Sequence, residues 1–459
     1  MLGFANRGLK KFLSSTVTSS TFQSSRTSLF RQSNGLRAFG SSLSRFYSSE
    51  SQDLGERESD QFDVVIVGAG PSGLSAAIRL KQLAQQANTD LRVCVVEKGA
   101  EVGSHILSGA VIQPTALNEL IPDWKEKGAP LNTPVTDDKF YVLTENHSIR
   151  LPTPRFMHNE GNYIISLGNF IKWMGQQAEE LGVEIYPGFA ASEVLYDEKG
   201  NVNGIATSDM GIGKDGKPTS HFTRGMELRA KCTLFAEGCR GSLTKQLMKK
   251  FDLNKNCEPQ TYGLGIKELW QIDPSKHKPG LAIHTVGFPL DMKTYGGTFA
   301  YHLEDNLMAI GLVIGLDYTN PYLNPYQEFQ KFKLHPLLKP MLEGATCLQY
   351  GARTINEGGL QSIPDLVVPG GALVGCSAGF VNVPKIKGSH NAMKTGMLAA
   401  ESVFEELQKD KDASAITIAS YPQKVRDSWV WKDLYEVRNY RPAFHWGFIP
   451  WFIFGAIEI

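Results

Sequence analysis

The stretch Val64-Val-Ile-Val67, Gly68-Ala69-Gly70-Pro71-Ser72-Gly73, Leu74-Ser-Ala-Ala77 decides the fold. Its first four residues form an apolar run of the kind a buried parallel strand uses, and Gly73, Ala76, Ala77, Leu80, Leu83 and Ala84 recur at helical spacing. The order is strand, glycine turn, helix. In that order Gly68 permits a tight turn, Gly70 lets backbone approach a pyrophosphate, and Gly73 packs helix on strand, so phosphates rest on the positive helix N-terminus. A second apolar run, Val93-Cys-Val-Val96, ends in Glu97, 24 residues beyond Gly73 and near the spacing of the acid that binds an adenosine ribose. With glycine at 45 of 459 positions, the bare pattern arises by chance roughly 0.4 times in such a chain. The flanking strand and helix give it weight.

The chain carries its own control in Gly211-Ile-Gly-Lys-Asp-Gly216, which matches the same pattern. No strand-like run precedes it directly, and Lys217-Pro218 would break the required helix, so it reads as a loop. A third glycine turn, Gly375-Cys376-Ser377-Ala378-Gly379, follows an aliphatic run and precedes a helix expected over 389–406. Paired with the first turn, it predicts the far end of one FAD site, near the ribityl chain, with the helix N-terminus aimed at the isoalloxazine. The strand ending in Glu237-Gly238 resembles that of the flavoprotein class that includes aromatic hydroxylases, where a strand ending in Asp-Gly approaches the FAD pyrophosphate; with Glu in place of Asp, the resemblance implies a further contact there. The late turn also matches the GxSxG nucleophile elbow of hydrolases, with Ser377 as nucleophile and Asp410 and His445 as the later partners. Pro384 and the loop 380–388 separate that serine from its helix, which disfavours an elbow.

Composition narrows the function. Residues 1–49 hold seven basic residues, thirteen serines and no acid, which predicts a mitochondrial transit peptide, with Arg45-Phe-Tyr-Ser48 resembling a processing site. Without that segment 40 basic residues face 47 acidic ones, a balance of −7 that argues against nucleic acid as a partner. The six cysteines, at 94, 232, 239, 257, 347 and 376, contain no CxxC, so no compact zinc or iron–sulfur motif is expected, and the thiols read as mostly buried and free.

The fold class expected is α/β (α+β taken as a whole): a doubly wound, Rossmann-like FAD-binding domain with an inserted mixed α+β quinone-binding domain. The FAD domain is expected over 62–254, with an excursion near 104–165, and again over 351–408; residues 255–350 are the inserted domain and 409–459 a membrane-associated end. No run of eighteen apolar residues exists, so no spanning helix is expected. Leu117, Leu120, Ile121 and Trp124 form a stripe behind Pro114 that could lie on a membrane, although such stripes are more often core.

Several long blocks resemble the electron transfer flavoprotein:ubiquinone oxidoreductase family over most of residues 62–445. They include Val102-Gly-Ser-His-Ile-Leu-Ser-Gly109, Pro122-Asp-Trp-Lys-Glu-Lys-Gly-Ala-Pro130, Gln260-Thr-Tyr-Gly-Leu-Gly-Ile-Lys-Glu-Leu-Trp270, Thr294-Tyr-Gly-Gly297 and Phe380-Val-Asn-Val-Pro-Lys-Ile-Lys-Gly388. The resemblance implies a monotopic enzyme on the matrix side of the mitochondrial inner membrane that takes electrons from electron transfer flavoprotein and reduces ubiquinone through FAD. It implies a quinone-binding turn at Gly296 and Gly297, with Tyr262 near it, where the residues alone read as a hairpin turn. It also implies shallow membrane contacts over 104–125 and 416–435, the latter containing Trp429-Val-Trp431. Members of the family continue into a ferredoxin-like domain whose four cysteines hold a [4Fe–4S] cluster. This chain lacks those ligands and finishes in the apolar stretch 446–459, so a shortened form is expected. The function expected is FAD-dependent quinone reduction, no side chain acting as nucleophile. The alternatives are a form that binds FAD or membrane without exchanging electrons, and an aromatic hydroxylase oxidising NAD(P)H with oxygen.

Overall fold

A computed structural model describes residues 55–106 and 109–457. The expected transit peptide lies outside the described residues. Ser59–Val67 is a strand and Pro71–Gln86 a helix, as the opening pattern requires. The strand is buried on both faces, since Val64, Val65 and Ile66 are fully covered, and such runs belong at the centre of a parallel sheet.

That strand pairs in parallel with Glu227–Phe235 on one side and Val93–Glu97 on the other. Gly371–Leu373 and Glu184–Pro187 extend the parallel array at its two ends. Val202–Thr207 and Ala191–Tyr196, with Val367–Val368 beside Gly371–Leu373, add antiparallel strands and complete an eight-stranded sheet. The helix Ser389–Lys409 packs along Pro71–Gln86 with Gly396 at the crossing, where a Cβ would collide with the Ser72 carbonyl. Small residues at such a crossing let two helices approach closely, which holds both glycine turns at one end of the sheet.

A seven-stranded sheet runs Thr346–Asn356, Tyr262–Gln271, Leu307–Gly315, Gly296–His302, Leu281–Gly287, Asp137–Leu143, Ser148–Leu151. Its neighbours are antiparallel except Leu281–Gly287 beside Asp137–Leu143. The helix Pro325–Leu334 covers it, burying Phe329 and Phe332, each worth about 1.5–3 kcal/mol relative to exposure. Two expected boundaries move. The excursion near 104–165 supplies two strands of this second sheet, and the chain rejoins the first sheet only at Val367, not at 351, because the last strand pairs with Tyr262–Gln271 through Asn356. Polar, half-exposed segments conceal such long-range pairing from any local period.

The control motif at 211–216 lies on a two-stranded hairpin, Met210–Ile212 with Pro218–Thr223, and opens no helix.

Candidate functional site

In the first turn the three glycines do different work. Gly68 has φ +106°, and a Cβ there would come within 2.6 Å of the Ala236 carbonyl oxygen. A Cβ at Gly73 would run into the Gly68 carbonyl and approach Ile66 Cγ2 to 3.2 Å, so the helix sits tightly on its strand. At Gly70 a Cβ would meet nothing within 4 Å. The turn is therefore closed toward the protein and open at Gly70, where a phosphate would approach. Ala69, Pro71 and Ser72 complete it, with Pro71 at the first helical position.

No side chain caps this helix and no acid stands in its first turn. The helix Ser389–Lys409 likewise starts after Gly388 without a side-chain cap or acid, whereas Ser166 and Asn324 cap other helices. Uncapped N-termini keep their amides for an anion or an electron-rich ring. Glu97 ends its strand with Oε2 accepting from Ala69 N at 3.0 Å and Oε1 from Gly99 N at 2.8 Å. Each carboxylate oxygen has two lone pairs, so ribose hydroxyls remain within its capacity.

Gly375 has φ +59°, and a Cβ there would lie 2.6 Å from Ser72 Oγ. The two glycine turns, some 300 residues apart in the chain, thus touch. Gly379 faces Gln260 and Asn356, its Cβ position being 2.6 Å from Gln260 Nε2 and 3.9 Å from Asn356 Nδ2. Ser377 Oγ is buried without a hydrogen-bond partner, so no histidine or carboxylate activates it as the hydrolase reading needs. Both amide atoms of Asn391, in the first turn of the late helix, are also buried and unpartnered. Burial pushes the Cys376 thiol up to about 11 and that of Cys239 to about 12, which keeps both neutral.

Glu237 departs from expectation. Its Oε2 accepts from Thr244 N at 2.6 Å and Thr244 Oγ1 at 2.7 Å, and its Oε1 from Leu243 N at 3.2 Å. The carboxylate caps the helix Ser242–Lys250, and beside it the Gly238 backbone is open on its Cβ side. A carboxylate aimed at a pyrophosphate would repel it; three donors turn this one away.

Gly296 and Gly297 begin the strand Gly296–His302 and do not form a hairpin turn. Gly296 has φ +152°, with Leu290 Cδ1 2.7 Å from its Cβ position; at Gly297 the Thr285 carbonyl oxygen stands at 2.5 Å. Tyr262 lies at the same end of the sheet, but the strand Leu307–Gly315 runs between it and Gly296. Its ring lies under the Arg240 guanidinium at 4.9 Å, toward the FAD side. Beside this end sits a carboxyl the sequence did not single out: Glu357, 1% exposed, which burial pushes up to about 7 against the pull of Arg441. The only signal for it was a polar Asn356-Glu-Gly-Gly359 run at a strand end.

The expected membrane stripes turn inward. Leu117, Leu120, Ile121 and Trp124 are all buried in the main core, and Trp124 Nε1 donates to Asn118 Oδ1 at 2.7 Å. Val430 is fully buried, and Trp429 and Trp431 pack against the same core. An amphipathic stripe serves either surface, and here the neighbouring helices Ser389–Lys409 and Tyr421–Asp427 claim it. Exposed apolar residues do gather near the end of the described chain, where Trp446, Ile449 and Ile453 stand out, the last two on the helix Phe448–Ile457. Among the described residues no helix is long and apolar enough to cross a membrane, and no group of three His, Cys, Asp or Glu could hold a metal ion.

The open cradle at Gly70, the two uncapped helix ends and the orphaned Ser377 and Asn391 atoms fit FAD. Residues 66–122 match a family described as NAD(P)-binding Rossmann-like domain, and residues 262–355 one described as ETF-QO, ubiquinone-binding. A geranylgeranyl bacteriochlorophyll reductase-like protein of Thermoplasma acidophilum shares the fold, with TM-score 0.63 and 18% identity over 87% of this chain and 89% of that one. A flavin-dependent brominase does so at TM-score 0.59 and 16% identity, over 86% and 89%. The mitochondrial electron transfer flavoprotein-ubiquinone oxidoreductase of Dictyostelium discoideum is 69% identical, covering 90% of this chain and 70% of its own length. Those of Sus scrofa and Arabidopsis thaliana are 60% and 58% identical, over 85% and 91% of this chain but 64% and 65% of theirs. The chain thus spans about two thirds of the length of these relatives, and with that similarity running through both sheets it belongs to the electron transfer flavoprotein-ubiquinone oxidoreductase family.

Proposed function

We propose that this chain takes electrons from reduced electron transfer flavoprotein and passes them to ubiquinone at the matrix face of the mitochondrial inner membrane. The observation that carries the reading is the contact between the Gly68–Gly73 and Gly375–Gly379 turns, with the ubiquinone-binding region 262–355 beside them. When bound, FAD supplies reversible uptake of two electrons. The chain's own residues do the rest. Gly70 and the first-helix amides hold the diphosphate, and Glu97 takes the ribose. Gly375, Cys376, Ser377 and Gly379 line the ribityl side, while Gly238 backbone closes the pyrophosphate. Gly296 and Gly297 bring backbone close to a quinone oxygen, with Tyr262 on the flavin side of that path.

Mitochondrial address and membrane contact follow the relatives' names and the exposed Trp446, Ile449 and Ile453, whose apolar side chains suit an interfacial site. Purified protein with FAD tests the function. Reduced electron transfer flavoprotein should bleach the flavin absorbance, and a soluble ubiquinone should restore it. Absence of bleaching would favour a form that binds FAD without exchanging electrons.

A further inference from the structure

We propose that the Glu357 carboxyl is the proton donor for quinone reduction, acting at the Gly296 end of the second sheet and refilled from solvent by way of Asp317. The inference rests on the function proposed above.

Position is the first argument. Glu357 follows the strand Thr346–Asn356 directly, and its N–H donates to the Thr261 carbonyl at 2.8 Å. Its carboxyl lies over the sheet end: a Cβ at Gly263 would collide with Oε1, and one at Gly315 would stand 3.2 Å from Oε2. Gly263 and Gly315 are register partners, so two facing glycines make the space this carboxyl occupies. Gly315 N donates to the Tyr295 carbonyl at 2.9 Å, and Gly296 pairs with Ile314. The acid is therefore one strand step from the Gly296–Gly297 backbone. On its other side Asn356 reaches toward Gly379, in the turn assigned to the flavin.

Charge count is the second argument. One guanidinium faces two carboxyls: Arg441 Nη2 donates to Asp317 Oδ2 at 2.8 Å, while Arg441 Nε stands 3.6 Å from Glu357 Oε2. That Nε and that Oε2 both lack hydrogen-bond partners. The half-exposed Asp317 takes the short hydrogen bond from the cation, and the buried Glu357 carboxyl, left with only the longer contact, favours its protonated form. Arg438 lines the same small cavity, but its Nη1 donates to the Tyr435 carbonyl at 2.7 Å and its guanidinium lies 3.7 Å over the Tyr435 ring. Tyr295 also faces the acid, and burial raises its phenol so that it stays neutral. A carboxyl pushed to about 7 is poised to give and regain a proton near neutrality.

Access is the third. A cavity of about 10 Å³, lined by Glu357, Val381, Val383, Pro384, Leu434 and Arg438, adjoins the carboxyl. That is at the lower bound of the space one water needs. The Asp317 side chain is 43% exposed and links the cluster to solvent.

The step balances. As the quinone accepts two electrons, the Glu357 O–H bond breaks and an O–H bond forms on one quinone oxygen. The second proton, the one a reduced flavin would release on reoxidation, passes through water to the other oxygen, and solvent reprotonates the carboxylate through Asp317.

The test uses the full chain with FAD, a chemically reduced flavin and a short-chain ubiquinone, following flavin reoxidation from about pH 5.5 to about 9. The parent rate should be flat in acid and fall about tenfold per unit above about pH 7. Glu357→Gln should be about 100-fold slower at about pH 6, with no break near neutrality and unchanged quinone affinity. Asp317→Asn frees Arg441 to pair with Glu357, so its break should move to lower pH. Infrared spectra of the resting oxidised protein should show a protonated-carboxyl band that titrates near neutrality and is missing in Glu357→Gln. An unchanged rate and break in Glu357→Gln, an unmoved break in Asp317→Asn, or no such band would overturn the inference. A parent protein whose flavin quinone cannot reoxidise would defeat the proposed function as well, whereas reoxidation indifferent to residue 357 defeats this inference alone.

Discussion

Replacing Gly70 and Gly73 one at a time by alanine separates cofactor binding from folding within a single turn. A Cβ at Gly70 meets no protein atom within 4 Å, and its φ of −89° suits alanine. Gly70→Ala should keep FAD-free stability within about 0.5 kcal/mol of the parent. Its methyl, however, stands where a phosphate must approach the backbone. Losing one charge-assisted hydrogen bond costs about 1.5–3 kcal/mol, or roughly ten- to hundredfold in FAD affinity. At Gly73 the same methyl would run into the Gly68 carbonyl and crowd Ile66 Cγ2 at 3.2 Å, so the helix must withdraw from its strand. Such overpacking costs about 1–3 kcal/mol. Urea denaturation of FAD-free protein reads the folding term, and quenching of FAD fluorescence on titration reads the binding term. Gly70→Ala should show a normal midpoint with weak binding; Gly73→Ala should lose both. Parental FAD affinity in Gly70→Ala would refute the reasoning, because no phosphate could then lie against that Cα.

Three further outcomes are expected. Glu237→Ala removes the cap of the helix Ser242–Lys250 and should lower stability by about 1–2 kcal/mol while leaving FAD affinity within about twofold; a large affinity change with normal stability would contradict the capping role. Burial alone would raise the Asp433 carboxyl, but hydrogen bonds from Lys385 Nζ and Asn382 Nδ2, with the His390 ring nearby, outweigh it and hold it well below the usual range. Its contribution is thus complete above an unfolded value of about 3.9 and is lost as pH falls, on the order of 2 kcal/mol. Asp433→Asn should therefore be less stable at neutral pH, with a flatter decline into acid, and a decline as steep as the parent's would count against that account. Replacing Trp446, Ile449 and Ile453 together with serine should weaken partitioning onto anionic vesicles, read by co-sedimentation, by about a hundredfold without changing FAD content, each lost apolar side chain being worth about 1 kcal/mol. Undiminished sedimentation would assign membrane contact elsewhere.

The residues that sequence located best are those whose role is fulfilled next to where they stand in the chain. Gly68, Gly70 and Gly73 act within one turn, so their spacing carried the geometry, and the decoy at 211–216 was separable because its flanks lacked strand and helix. Residues whose partner lies far away were read less well. Glu237 looked like a cofactor ligand because nothing in Phe235-Ala-Glu-Gly238 announces that Thr244 will bend back to it. Leu117, Leu120, Ile121 and Trp124 have the period of an amphipathic helix, which is the same whether the apolar face meets lipid or another helix.

Residue order by itself determined the nucleotide-side units, since strand period, helix period and glycine spacing are local properties of the backbone. Only tertiary structure decided that Asp137–Leu143 joins the second sheet, that the Gly68 and Gly375 turns touch, and that Glu357, Arg441 and Asp317 share one buried cluster. Those contacts join residues tens to hundreds of positions apart. They are selected by which surfaces pack best once the elements exist, and no short-range pattern encodes that choice.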